Sequence, residues 1–290
     1  MRLLRDFLAL TKPTISLLVV ITGAAALVWE RSLARDPLAF LGVLLGLFLA
    51  SGCANGLNQY FERERDKLMT RTAKKRPLAN GRLSPAAGLA FAVGCGVVGV
   101  SLFAVFYNLL SAALALATIL FYAFFYTLYL KAATPQNIVI GGAAGAMGPV
   151  IAWAAAAGTL AWAPALMFLI IFFWTPPHFW ALALCLQDDY KASNLPMMPN
   201  VVGEEATLRQ MFAYSVVLVL TSLAMLFTEA GIVYMAVAAV TGALFLAKLA
   251  QSMRARTVKS YWGVFGYSII YLFALFVAMM VDSAWSTPLL

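Results

Sequence analysis

The chain reads as an all-α polytopic membrane protein, one bundle of nine transmembrane helices with its N-terminus in the cytoplasm. Three observations lead there. Of 290 residues, 63% are hydrophobic and 11% charged, where soluble proteins carry about a quarter charged. The apolar residues gather into nine long runs. The lysines and arginines fall almost entirely on alternate connections between those runs.

The runs cover residues 14–29, 38–54, 86–106, 109–130, 138–157, 163–186, 211–227, 231–247 and 264–281, and none contains Asp, Glu, Lys or Arg. Several fall short of the roughly 20 residues that cross the hydrocarbon, so the helices are expected to extend into their flanks. Backbone amides find no water at that depth, which leaves helices as the spanning form for runs of this length. An odd number of spans puts the termini on opposite sides. With the N-terminus inside, only Arg31 and Arg35 of the 20 basic residues lie outside, the bias that the positive-inside rule requires. The net charge of +8 follows from this topology and calls for no nucleic-acid partner. No cleavable signal or transit segment precedes the first run, which points to a bacterial inner membrane. Cys53, Cys95 and Cys185 lie in or beside apolar stretches without metal-like spacing, and read as packing residues rather than disulfide or zinc partners. The whole of 1–290 is expected to form one domain, with working segments at about 55–85 and 187–209 on the cytoplasmic side.

The first working segment, NQYFERERDKLMTRTAKKRP, covers residues 58–77 and follows the second run. Asn58, Glu62 and Asp66 recur at i, i+4 and i+8, so a helix would align them on one face along roughly 12 Å of its axis. Two carboxylates and an amide suit Mg²⁺, a hard cation that bridges carboxylates to substrate phosphates. Arg71, Lys74, Lys75 and Arg76 follow at once and can bind phosphate oxygens. Gly81 and Pro85 then bracket a flexible return suited to a lid. The plainer alternative is a solvated connector whose acids pair with bases at i+3 and i+4.

The second segment, FWTPPHFWALALCLQDDYKASNLPMMP, covers 173–199. Pro176 and Pro177 are expected to interrupt the sixth helix and kink it. His178, the only histidine, is costly at membrane depth and therefore a functional candidate. Its ordinary reading is a neutral imidazole satisfying carbonyls freed by the prolines. Asp188 and Asp189 point about 100° apart on a helix, so one faces the site and one the solvent; Tyr190 and Lys191 follow. NLPMMP reads as an ordered loop. The fourth run is rich in aromatics, with Phe121, Tyr122, Phe124, Phe125, Tyr126 and Tyr129. Packing and interface belts account for them, and a wall around an isoprenoid tail or a cation would use the same residues. Gly141 and Gly145 stand at small-xxx-small spacing, which lets helices within the bundle approach closely.

These motifs resemble the UbiA-type membrane prenyltransferase superfamily over essentially the whole chain. Asn58, Glu62 and Asp66 match its first motif, Asn-x-x-x-Asp-x-x-x-Asp, with Glu at the middle position. WTPPHFWALAL followed by DDYKASNLPMMP, with LTKPT and DKLMTRTAKKRPL, is similar to the haem O synthase family within it. Ala192 stands four residues after Asp188, where the superfamily's second motif has Asp, so only the Asp188–Asp189 pair is available there. The resemblance implies nine helices and a cytoplasmic site where farnesyl diphosphate alkylates a vinyl group of haem b and water adds a hydroxyl. It implies Mg²⁺ on Asn58, Glu62, Asp66 and Asp188, with Asp189 beside them. Arg71, Lys74, Arg76, Lys191 and Tyr190 would contact substrate, and His178 is expected to contact haem, with ligation of its iron left open. A quinone-type polyprenyltransferase and a small-molecule transporter are the competing readings. A carrier places its acids near the midplane, whereas these lie at the inner edge. Membrane lipid is the surrounding partner; a homo-oligomer, or association with haem A synthase or oxidase assembly, stays open. Thiol labelling checks the orientation in a variant lacking the native cysteines. An impermeant reagent on intact cells should modify Arg35→Cys and leave Lys75→Cys and Lys191→Cys untouched until the membrane is opened. Opposite accessibility of Lys75→Cys and Lys191→Cys would separate the two working segments and remove the site.

Overall fold

The computed structural model describes residues 2–192 and 195–285, without the side chains of residues 2, 70, 71 and 192. Among the described residues, nine helices are long and apolar enough to cross a membrane: Pro13–Glu30, Pro37–Asp66, Pro85–Phe106, Leu109–Ala133, Asn137–Ala157, Trp162–Cys185, Glu204–Phe227, Ile232–Ala255 and Val258–Trp285. The all-α, nine-span architecture is as expected, and the helices extend beyond the apolar runs. The second span differs most, running to Asp66. The acidic segment is thus the last three turns of a membrane helix, not a connector. The helix Trp162–Cys185 runs through Pro176 and Pro177 without a break, where an interruption was expected. Of NLPMMP, residue 194 lies outside the described residues, and the stretch ends in a short helix, Met198–Val202, where a loop was expected.

Several spans start where local chemistry dictates. Asp36 and Ser84 accept from the backbone N–H groups of Ala39 and Ala87, at 3.0 and 3.2 Å. Proline follows each of them as the first helical residue, where its missing N–H costs nothing. Asn108 caps the fourth span by accepting from Ser111 N–H at 2.9 Å. Its amide also donates to Ala154 O at 2.7 Å, tying that cap to the end of the fifth span.

The chain forms two compact units. One comprises Met1–Ala133, Met147–Leu160 and Asp188–Leu195, the other Thr134–Ala146, Ala161–Gln187 and Pro196–Leu290. The fifth span is shared, its first half, Asn137–Gly145, in the second unit and Gly148–Ala157 in the first.

In the first unit, glycines let backbones meet where lipid provides no hydrophobic drive. A Cβ on Gly99 would stand 3.1 Å from Ala50 N and 3.2 Å from Gly46 O, and one on Gly148 would stand 3.0 Å from Val19 O. The return through Gly81 is tied down, unlike the lid expected there. Arg82 donates to Asp6 at 2.8 Å and to Lys75 O at 3.1 Å, while Leu78 and Leu83 pack on Leu10 and Phe7 of the N-terminal helix, Arg2–Leu10.

In the second unit, close approach falls to Gly142, where a Cβ would lie 2.9 Å from Thr175, while Gly145 faces open space. Polar braces join the last spans. Asp282, 1% exposed, accepts from Gly231 N–H at 2.6 Å and Tyr234 N–H at 3.1 Å, so one span caps the start of another. The hydroxyls of Tyr234 and Tyr271 both donate to Ser222, at 2.9 and 3.1 Å. Asp282→Ala should leave two amides unpaired in a low-dielectric interior and cost about 1–3 kcal/mol. Thermal unfolding of the solubilised protein reads this as a lowered midpoint. Thr221→Ala, which removes only a back-bond to Val217 O on an exposed face, should leave the midpoint in place.

Candidate functional site

The last turns of the second span carry Asn55, Asn58, Gln59, Glu62 and Asp66, all buried. The i, i+4, i+8 spacing sets Asn58, Glu62 and Asp66 on one face, as expected. Glu62 Oε2 and Asp66 Oδ2 converge on a single atom, Arg76 Nη1, at 3.1 and 2.5 Å. Lys131 donates to the other oxygen of Glu62, and Lys12 donates to Asn58 Oδ1 at 2.9 Å. Three basic side chains therefore surround two carboxylates and one amide.

Each cation is aimed by its own element. Lys12 adopts a left-handed backbone with φ 47° immediately before Pro13, a position from which right-handed helix is disfavoured. The second span grips this turn. Gln59 donates to Ala9 O and Leu10 O at 3.1 and 3.0 Å, and Asn55 to Thr11 O at 3.3 Å. Burial, and then Arg76 nearby, hold the Lys12 ammonium well below the usual lysine range. Arg76 follows a short helix, Thr70–Ala73, whose Thr72 hydroxyl donates back to Asp66 O at 2.8 Å. Burial opposes the Arg76 charge, but Asp66 and Glu62 more than offset it and raise its pKa.

Lys131 ends a π-helical stretch, Phe121–Leu130, inside the fourth span. The wider turn lets Thr127 donate to Tyr122 O, five residues back, at 2.8 Å, while its hydroxyl accepts from Asn58 Nδ2 at 3.2 Å. The same stretch stacks Tyr122 on Tyr126, ring centroids 5.1 Å apart. Short π segments recur at functional sites because they re-aim side chains without ending the helix.

The other expected residues are placed less tightly. Asp188 and Asp189 open a short helix, Gln187–Ala192. Asp188 is exposed and Asp189 half-buried. Among the described residues no hydrogen bond or ion pair reaches either carboxylate. The stretch from Asp188 belongs to the same compact unit as Glu62 and Asp66. Tyr190 is buried, while Lys74 and Lys191 are exposed. The Arg71 side chain lies outside the described residues. His178 belongs to the second unit, where its Nδ1 pairs with Ser268 Oγ at 2.7 Å rather than with carbonyls freed by the prolines. Sequence reading missed Lys12, Lys131 and Thr127 as site residues. Lys12 within LTKPT, and Lys131 closing the aromatic run, were the available signals.

The donor set fits Mg²⁺. Among the described residues no group of three or more His, Cys, Asp or Glu gathers around one point. Two carboxylates and an amide are nonetheless what that ion takes when substrate phosphates and water complete its shell. The shared Arg76 nitrogen marks a point at which both acids already hold a positive charge.

Comparison with known proteins gives the family. A protohaem IX farnesyltransferase of Symbiobacterium thermophilum is 43% identical over 97% of this chain and 95% of its own length. Another, of Gloeothece citriformis, is 44% identical over 98% of this chain and 88% of its own. Among solved structures, a digeranylgeranylglyceryl phosphate synthase superposes with a TM-score of 0.81 at 18% identity, covering 98% of this chain and 99% of that one. A UbiA homologue from Archaeoglobus fulgidus, bound to DMAPP and Mg²⁺, gives 0.65 at 16% identity, covering 94% and 99%. These two likenesses speak for the fold. Residues 18–283 match the UbiA prenyltransferase family, and the chain belongs to it.

Proposed function

We propose that this chain is a multi-pass membrane prenyltransferase that moves the farnesyl group of farnesyl diphosphate onto a vinyl group of protohaem IX, with water completing the product as haem O. The choice of acceptor rests on full-length likeness to protohaem IX farnesyltransferases at 43–44% identity. The chemistry rests on one observation, the convergence of Glu62 and Asp66 on Arg76 inside a ring of cations. The family match spans both compact units, which supports one catalytic domain over the whole chain. Likeness to bacterial proteins supports a bacterial plasma membrane, and the spread of basic residues supports a cytoplasmic side for this cluster.

Asn58, Glu62 and Asp66, with Asp188, would hold Mg²⁺, which when bound neutralises charge building on the departing diphosphate. Lys12, Arg76 and Lys131 bind and orient the diphosphate by charge-assisted hydrogen bonds, and the exposed Lys74 and Lys191 add positive charge on the flanking segments. Asp189 and Tyr190 bring the second acidic segment to the same unit. As the C–O bond breaks, its electron pair leaves with the diphosphate, and the charges of Arg76 and Lys131 favour that separation. The rings of Tyr122, half-buried, and Tyr126, buried, suit the allylic cation left behind. The vinyl carbon attacks that cation. Water adds at the cation formed beside the macrocycle and releases one proton.

Mass spectrometry of haem extracted from expressing membranes tests this reading. Wild type should yield farnesyl-bearing haem, and Asp66→Ala only haem b, a loss of about 10²-fold or more. Equal product from both would remove the metal site, and prenylation of a phenolic acceptor instead of haem would replace the substrate. Lys12→Met should slow turnover by about 10- to 100-fold, the value of one charge-assisted bond of about 1.5–3 kcal/mol. Chelation of Mg²⁺ should stop product formation and its return restore it.

A further inference from the structure

His178 lies in the sixth span among residues of its own compact unit, and its surroundings specify more than burial. Trp174, one turn earlier, stacks on the imidazole with ring centroids 4.2 Å apart and planes 19° from parallel. Phe265 of the ninth span covers the other face at 4.6 Å and 24°. Phe179 stands edge-on at 5.1 Å. A ring held between two aromatic faces cannot turn about Cβ–Cγ without displacing them, so the imidazole plane is set.

The hydrogen bonds then set the proton. Ser268 Oγ lies 2.6 Å from Phe265 O, a carbonyl that can only accept, so the single hydroxyl proton is committed there. The same Oγ is 2.7 Å from His178 Nδ1 and has only lone pairs left for that contact. Nδ1 must therefore carry the hydrogen and donate it to Ser268. Trp174 Nε1 donates to Ser268 O at 2.7 Å, which holds the serine backbone in register with the histidine. In the neutral ring the remaining nitrogen, Nε2, is then a bare lone pair. Among the described residues no polar group pairs with it. The side chain is only 7% exposed, yet Nε2 is not among the fully buried unpaired polar atoms, so this basic nitrogen keeps accessible surface from which a ligand can reach it.

A fixed Nδ1–H donor with a free Nε2 is how metal-binding histidines are held, their outer partner choosing the tautomer and orientation. Building on the protohaem reading above, we propose that Ser268 is a positioning residue that locks His178 in the Nδ1–H form, so that Nε2 becomes an axial ligand to the iron of the haem substrate. The partner is a hydroxyl, not a carboxylate, so the imidazole gains little extra basicity. That suits a ligand which must release a modified haem, rather than retain a resident one.

Because His178 is the only histidine, isotope labelling of histidine marks this one ring. Purified full-length protein, grown with ¹⁵N-histidine and loaded with ferric protohaem IX in detergent, should show an axial nitrogen coupling by pulsed EPR. That coupling should change isotope with the label. His178→Ala should lose the coupling and the associated Soret shift, and added imidazole should restore both. Ser268→Ala should weaken haem binding by about 10-fold or more, while Ser268→Thr, which keeps the hydroxyl, recovers most of it. Unlabelled coupling, or no axial nitrogen at all in wild type that still makes farnesylated haem, would overturn the ligand and leave the proposed reaction standing. Labelled coupling in a protein that makes no farnesylated haem would uphold the ligand and sink the reaction.

Discussion

Two buried carboxylates near the end of a membrane-spanning helix cannot stay ionised alone, and much of the first unit is arranged around that constraint. Removing a partner from such a group costs about 3–5 kcal/mol. Glu62 and Asp66 are met by Arg76 and Lys131, with Lys12 beside them on Asn58. Each cation depends on a local device. A left-handed turn before Pro13 aims Lys12, a loop pinned through Arg82 presents Arg76, and a π-helical stretch ends at Lys131. The N-terminal helix, the return loop and the fourth span thus all serve the same pair of acids.

Buried charge clusters are poor stabilisers, since apolar residues of similar volume often do as well or better. Three basic side chains gathered on two acids and an amide are what the proposed diphosphate site requires. The second unit offers the contrast. Asp282, Tyr234, Tyr271 and Ser222 are also polar groups within the spans, but they satisfy one another across helices. They read as braces. His178 differs because one nitrogen is used and the other is left with a lone pair. In both units, the informative feature is the bonding capacity that remains after the protein's own contacts are counted.

Much of this was legible in one dimension. Nine apolar runs, the sidedness of lysine and arginine, and the face shared by Asn58, Glu62 and Asp66 are all properties of spacing along the chain. Apolar content nevertheless underestimated the second span, because a helix gripped by its neighbours can carry Asn, Gln, Glu and Asp to its end. Pro176 and Pro177 misled in the other direction, since the helix runs through both of them. Gly81 suggested a lid, but Arg82 beside it reaches Asp6, 76 residues earlier, and binds the loop down.

By itself the sequence determined the class, the number of spans and one acidic face, because hydrophobic transfer and helical period act on neighbouring residues. Tertiary structure alone decided which cations meet those acids and which nitrogen of His178 stays free. Lys12 is 46 residues from Asn58, Lys131 is 69 from Glu62, and Ser268 is 90 from His178. In the sequence the two lysines counted only as topology charges and Ser268 as one more small residue. Hydrogen bonds and ion pairs act over about 3 Å of space, so chain separation carries no sign of them.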